Sequence, residues 1–432
     1  MSDVRKPTTN DSRREFLKTS SVLAAGALVG GLAMPRTVHA DGGDVLRVGL
    51  VGCGGRGTGA AAQALQADPN CKLVAMGDAF ADRLQASRQS LQKRLGPKVD
   101  VPDERCFTGF DNYKKVLDCD LDVIVLAAPP HFRPEHLRAA VEKGVHVFAE
   151  KPVAVDAPGV RSVLESSELA KKKGLSIVSG LCWRYDYGVR ETISRVLDGA
   201  IGDIVAIQEN YLTGPLWHRG QDPAWSQMEY QLRNWIYFTW LSGDHNVEQH
   251  VHSLDKAQWL LGDGNPIAAT GLGGRQVRTE EKYGHIFDHH AVCYEYPNGV
   301  RVHAYTRQQA GCANDTEDYV FGTKGSCQVL KNEIRKPNGE IAWKYSGPKP
   351  SMYQVEHDEL FRSIREGKPI NNGHYMALST MVAIMGRMAT YSGQRVTWEQ
   401  AFNSTVDLSP KSYEWGDVAV PPVAMPGITR EI

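Results

Sequence analysis

The chain has 432 residues, enough for two domains with full cores. A formal net charge of −1 excludes the basic footprint of a nucleic-acid binder or of a protein held on an anionic membrane. With 42% hydrophobic residues the composition is that of a globular protein, and eight scattered cysteines without a C-x-x-C pair exclude a zinc ribbon and a dense disulfide framework.

Residues 1–40 read as a targeting segment. Ser12-Arg13-Arg14-Glu15-Phe16-Leu17-Lys18 is a twin-arginine pattern, followed by an uncharged apolar run from Val22 to Met34 and a small-residue cleavage site at Val38-His39-Ala40. The run falls short of the ~20 residues that cross a bilayer. The expectation is a signal peptide over 1–40, a periplasmic or otherwise extracytoplasmic bacterial location, and no membrane span after processing. That route carries folded proteins, so a cofactor can be loaded before export.

The fold begins near Val45. Leu46 to Val51 is a strand that breaks into a glycine-rich turn, and Thr58 to Leu65 continues as a helix. Gly52, Gly54 and Gly57 stand at the spacing G-x-G-x-x-G, with Gly55 and Arg56 inside it. Gly52 allows the tight turn, Gly54 lets backbone approach a pyrophosphate, and Gly57 lets helix and strand pack closely. The helix N-terminus then offers free N–H groups to phosphate. Lys72 to Gly77 is a second strand ending in Asp78. A carboxylate there accepts ribose hydroxyls and repels a 2′-phosphate, which favours NAD, while Arg56 and Arg83 leave NADP open. Asp78 reads equally as a helix N-cap.

Strand and helix go on alternating. Leu84 to Leu95 is an amphipathic helix. Asp122 to Ala128 is a continuous apolar strand running into Pro129-Pro130-His131, and ligands sit at such carboxyl ends. His131 and His136 are candidates for that crevice or plain structural histidines. Pro134 to Lys143 is a helix closed by Gly144, and Val145 to Ala149 is a buried strand ending in Glu150-Lys151-Pro152. A helix over 160–173 and a strand over 175–180 complete an α/β dinucleotide-binding domain at 44–178. The remainder, 179–432, reads as an α+β domain opened by an antiparallel strand from Ile204 to Tyr211.

Residues 212–237, rich in Trp, Tyr and Gln, have the look of a substrate-covering loop. Asp244 to Leu261 reads as one helix with Glu248, His252, Asp255 and Trp259 on one face. A carboxylate one turn before a histidine orients the ring and raises its pKa. Three histidines, His245, His250 and His252, suggest a metal, but helical geometry separates them and no metal is expected. Residues 285–307 alternate as strands around Pro297-Asn298-Gly299, with His289, His290, His303 and Tyr305 on them. Helices over 356–366 and 376–391 precede a Pro-rich, extended tail.

Several motifs carry a family resemblance. They are Gly52-Cys-Gly-Gly-Arg-Gly57, Pro129-Pro130-His131, the run Gly144-Val-His-Val-Phe-Ala-Glu-Lys-Pro152, Gly199-Ala-Ile-Gly-Asp203, Asp255 with Trp259-Leu-Leu-Gly262, and Gly322-Thr-Lys-Gly325. Over about residues 45–405 the chain resembles the Gfo/Idh/MocA oxidoreductases. The resemblance implies a Rossmann domain followed by an α+β domain with a large, mostly antiparallel open sheet whose exposed face pairs subunits into a homo-oligomer. It implies hydride transfer from a sugar, cyclitol or related polyol hydroxyl to NAD. Gly52, Gly54, Gly55, Arg56, Gly57, Asp78, Pro129, His131, Glu150 and Lys151 would then hold the nucleotide. Lys151 and His252, with Glu248 where the family carries aspartate, would be catalytic and bind substrate beside Trp183, Arg184 and Tyr185. Trp183 and Tyr185 suit either a sugar face or a domain interface. Beside a cationic nicotinamide and partly desolvated, Lys151 is expected to have a lowered pKa. Export further implies NAD that stays bound and is restored within the cycle, in a two-substrate oxidoreductase or in redox-neutral cleavage of a glycoside.

Overall fold

The computed structural model describes residues 44–431, so the expected signal peptide at 1–40 lies outside the described residues. The first sheet contains β1 (Leu46–Val51), β2 (Cys71–Asp78), β3 (Cys106–Thr108), β4 (Val123–Leu126), β5 (His146–Ala149) and β6 (Ile177–Ser179). Its order is β3-β2-β1-β4-β5-β6, and every neighbouring pair runs parallel. That is the dinucleotide-binding order, with its reversal between β1 and β4.

Alternate residues explain why these strands are apolar throughout. Val48, Leu50, Val123, Val125, Phe148 and Val178 join one core layer, whereas Val51, Ile124, Leu126, Val147, Ala149 and Ile177 join the layer on the opposite face. Helix Gly55–Ala67 covers the first face and helices Arg133–Lys143 and Ala157–Lys172 the second. The first face is completed from the far end of the chain. Helix Met352–Arg365 packs on Gly55–Ala67, and Ile177 N–H donates to Ile370 O at 2.7 Å while Asn372 N–H donates to Ile177 O at 2.9 Å. The first domain therefore closes with residues far beyond 178.

The second sheet contains β7 (Ile204–Thr213), β8 (Ala268–Gly274), β9 (His289–Glu295), β10 (Arg301–Gln308), β11 (Asp318–Gly322), β12 (Gly325–Gln328), β13 (Glu333–Arg335), β14 (Ile341–Lys344) and β15 (Val396–Thr397). Its order is β14-β13-β12-β11-β7-β10-β9-β8-β15, and only β7 and β10 pair in parallel. The period of two is plain in β9 and β10: Val292, Tyr294, Val302 and Ala304 are buried, and Cys293, Glu295, His303 and Tyr305 point to the outer face. Helix Gly373–Ser392 lies between this sheet and helix Ala157–Lys172, which is why nearly all of its side chains are buried.

The turn after β1 depends on two glycines. Gly52 has φ +96°, and a Cβ there would strike the backbone of Ala127 and Ala128. A Cβ on Gly57 would fall onto the carbonyl oxygen of Gly52. Gly57→Ala should therefore push the first helix off the sheet and cost about 1–3 kcal/mol, read as a lowered denaturant midpoint.

Candidate active site

The glycine turn, the end of β2 and the loop after β4 line an open crevice. Gly52, Gly54, Asp78, Ala79, Phe80 and Pro129 are among its lining residues. The crevice fits a dinucleotide. The helix starting at Gly55 has no side-chain cap, so its first N–H groups remain open to phosphate, and nothing lies within 4 Å of where a Cβ on Gly55 would be. Asp78 accepts from Cys53 N–H at 2.6 Å and from Phe80 N–H at 2.9 Å. Each oxygen keeps a lone pair for a ribose hydroxyl. Asp78 does not cap the next helix, which starts at Ala81 after Phe80 without a side-chain cap bond. Of the two arginines weighed for a 2′-phosphate, Arg83 lines the crevice and Arg56 does not.

Lys151 follows β5, before a cis peptide bond to Pro152. Its Nζ donates to Glu248 O at 2.5 Å and to Glu248 Oε1 at 2.9 Å, with both side chains largely buried. Burial pulls the Lys151 pKa down, but Glu248 more than offsets it, and the net shift is upward. The lowering expected for this lysine rests on a cationic nicotinamide beside it; the protein's own groups shift it the other way.

The helix expected over 244–261 is two pieces, His245–Glu248 and Val251–Leu260, with the break at Gln249 and His250. The break turns Glu248 toward Lys151, so the carboxylate does not raise the pKa of His252. Burial pushes His252 well below its ordinary value, and Lys151, Lys256 and Arg56 add to that shift. His252 is a neutral imidazole whose Nδ1 has no partner among the described residues. It lines a second pocket with Trp183, Tyr211, Lys256, Thr316 and Tyr353. Lys151 bears electrostatically on both Tyr211 and His252, two of the residues that line this pocket.

Four expected ligand residues are held by the protein itself. Arg56 pairs with Glu150 and, at 2.7 Å, with Glu356, and its guanidinium stacks on Tyr353. Arg56 and Glu150 thus clamp the base of the Lys151 strand rather than reach for phosphate. Burial and neighbouring Glu150 push Glu356 well above the ordinary carboxylate range despite Arg56. Arg184 pairs with Asp255 at 2.9 Å and Asp263 at 2.7 Å, and lies 3.9 Å over the Tyr375 ring. Tyr185 is buried in the core layer of the first sheet with its hydroxyl on Asn372, and burial raises its pKa.

Other positions are also settled. Of the two histidines expected at the crevice, His136 is among its lining residues and His131 is not; His131 Nε2 lies 2.7 Å from the Tyr413 hydroxyl. His136 stacks on Tyr113, and burial pulls its pKa down to about 3. Residues 212–237 are not wholly irregular: they contain helix Gln227–Arg233, and Leu232 and Trp235 line the nucleotide crevice beside Phe80. Asp244, His245 and His290 bring one ligand atom each to within 4.8 Å of one another. The carboxylate already accepts from Phe287 N–H at 3.1 Å and from the Tyr391 hydroxyl, and meets His245 Nδ1 at 2.8 Å, so protein donors fill it.

Sequence reading missed Lys256, Glu209 and Asp318. Lys256 donates to His252 O at 2.8 Å and pairs with Asp318 at 3.1 Å, and Asp318 sits opposite Glu209 across β7 and β11. Burial and Asp318 push Glu209 well above its ordinary value. The available signal was spacing, since Lys256 stands one turn after His252; the carboxylates gave none. The Arg184 pair supplies a direct test. Asp255→Ala leaves a buried guanidinium half-partnered and should lower unfolding free energy by about 3–5 kcal/mol in urea titration.

Comparison with known proteins agrees with this geometry. The family model described as "Oxidoreductase family, NAD-binding Rossmann fold" matches residues 46–180, and the "GFO/IDH/MocA C-terminal domain" model matches residues 189–328. The chain is 27% identical over 222 residues to the 2,7-anhydro-N-acetylneuraminate hydratase of Escherichia coli, covering 51% of this chain and 53% of that one. It thus spans about half the length of that relative. It is 24% identical over 285 residues to inositol 2-dehydrogenase 3 of Saccharopolyspora erythraea, covering 66% and 73%. The aldose-aldose oxidoreductase of Caulobacter crescentus has the same fold, with a TM-score of 0.64 at 19% identity over 82% of this chain and 99% of that one. Two family models across more than half of the chain, over a glycine turn and a lysine strand built as described, place this protein in the Gfo/Idh/MocA family of oxidoreductases, with an NAD-binding Rossmann domain as its first half.

Proposed function

We propose that this chain oxidises a carbinol of a sugar, cyclitol or related polyol, using an NAD that remains bound through turnover. The observation that carries the reading is the Lys151 ammonium at the end of the first domain's fifth strand, held at 2.9 Å by Glu248 and bearing electrostatically on His252 and Tyr211, which line one pocket. Gly52, Gly54, Gly55 and Asp78 would hold the nucleotide. When bound, NAD supplies a hydride acceptor.

The chain's own residues handle the proton and the charge. Trp183 offers a flat apolar face to a sugar ring. Neutral His252 presents an unpartnered Nδ1 and takes the hydroxyl proton. Lys151 stays charged and donates a hydrogen bond to the alkoxide that develops. Glu248 keeps it charged and aimed. The twin-arginine segment supports an exported protein, and outside the cytoplasm a cofactor that had to dissociate each cycle would not be replaced.

A second reading has its own support in the hydratase relative, whose name describes the addition of water. In that reading the same pocket returns the hydride and cleaves a glycoside with no net redox change. Denaturing the purified protein should release NAD. Incubating native protein with a panel of polyols and aryl glycosides then separates the readings. A ketone or lactone with a reduced second substrate supports oxidation, free aglycone without net NADH supports cleavage, and no released or bound nucleotide sinks both.

Lys151→Met should lower turnover by about 10²–10⁴-fold while nucleotide stays bound. Glu248→Gln tests the sign of the electrostatics. Glu248 raises the Lys151 pKa against burial, so its neutralisation lets burial dominate and the pKa falls. Activity that depends on the ammonium should then be lost at a lower pH, and the alkaline limb of the kcat profile should move down. An unmoved alkaline limb contradicts the assignment.

A further inference from the structure

The tail from residue 404 to 431 contains no helix or strand, yet it does not leave the molecule. Leu408 N–H donates to Asp156 at 3.1 Å, at the start of helix Ala157–Lys172. The Tyr413 hydroxyl bonds His131 Nε2 at 2.7 Å, and its ring lies 5.7 Å from Phe110 and 5.9 Å from Phe132. Trp415 stacks obliquely 4.8 Å from Phe110 and 5.5 Å from Phe80. The chain then crosses to the second half, where Gly416 O accepts from Met228 N–H and Val418 O from the Gln231 side chain, both at 3.0 Å.

These partners are the two walls of the nucleotide crevice. Phe80, Phe110 and Phe132, on loops after β2, β3 and β4, form one wall. Leu232 and Trp235, on the segment that includes Met228 and Gln231, form the other. Arg233 fastens the walls at one point, pairing with Asp82 at 3.1 Å across Phe80. The tail fastens them at a second. Tyr413 and Trp415 are 39% and 46% exposed, too open to be core residues whose removal unravels the fold.

We propose that residues 408–418 are a strap that ties the two walls of the crevice together and thereby keeps the dinucleotide from exchanging, with Tyr413 and Trp415 as its fasteners. The strap rests on the reading of a retained NAD and supplies its means. A nucleotide lying between the walls leaves only when they part. Parting them requires the Tyr413–His131 bond and the aromatic contacts of Trp415 to break, or the backbone bonds to Met228 and Gln231. The strap thus acts on the rate of release more than on the contacts made by the nucleotide itself.

The test uses the full mature chain loaded with NAD and follows release after dilution, with an added alcohol dehydrogenase and ethanol converting each freed NAD to fluorescent NADH. Trp415→Ser is expected to release nucleotide at least about tenfold faster than the wild type, with the same stoichiometry at saturating NAD and the same thermal unfolding midpoint. Tyr413→Phe keeps the ring and loses only the bond to His131, so it guards against a folding defect, and it too should release faster. Release at the wild-type rate in both variants overturns the strap while leaving a nucleotide-binding enzyme intact. A wild-type chain that binds no NAD overturns the functional reading and the strap together.

Discussion

The bond between Lys151 and Glu248 ties together the two halves of the molecule. It joins the strand end of the first sheet to a helix of the second half. Such a pair is costly, because both charges leave water and their attraction only partly repays the loss. The helix break at Gln249 and His250 is what permits it. An unbroken helix would carry Glu248 and His252 on one stripe, whereas the break exposes the Glu248 carbonyl, which accepts a second bond from the ammonium. Stability alone gives little reason for the arrangement.

Around this pair, buried charges hold one another in place. Arg56 bridges Glu150 and Glu356, Arg133 binds the carbonyls of Leu126 and Glu150, and Arg184 bridges Asp255 and Asp263. Each arginine joins segments distant in sequence. Together they stiffen the loop beneath Lys151 and the crossover into the second domain without entering either pocket. The residue types that suggest phosphate or sugar binding are here used as rivets, and the pockets keep His252, Tyr211 and the glycine turn.

That division explains what could be read from the residues alone. Strands whose two faces are both buried appear as unbroken apolar runs, so Asp122 to Ala128 and Val145 to Ala149 identify themselves. The glycine spacing is equally legible because each glycine answers to a local steric demand. The partners of Arg56 and Arg184 are not legible, since Glu356 lies 300 residues from Arg56 and no periodicity links them. β8, β13 and β14 were missed because glycine-rich or half-exposed strands carry little alternation. The helix over 244–261 was read as continuous because its apolar face persists across the break; the departure at Asp244, with φ +79°, is a tertiary effect of its burial among His245, His290 and Tyr391. The tail was read as extended, which describes its backbone and misses its attachments.

The return of helix Met352–Arg365 to cover the first domain also constrains the order of events on the ribosome. The glycine turn emerges early, but the face behind it stays bare until residues 352–372 have been synthesised, and Ile177 at the sheet edge waits for the same segment. A nascent chain therefore cannot complete its nucleotide domain first and add the second afterwards. The glycine turn thus gains its finished backing only late, when that segment closes over the first sheet.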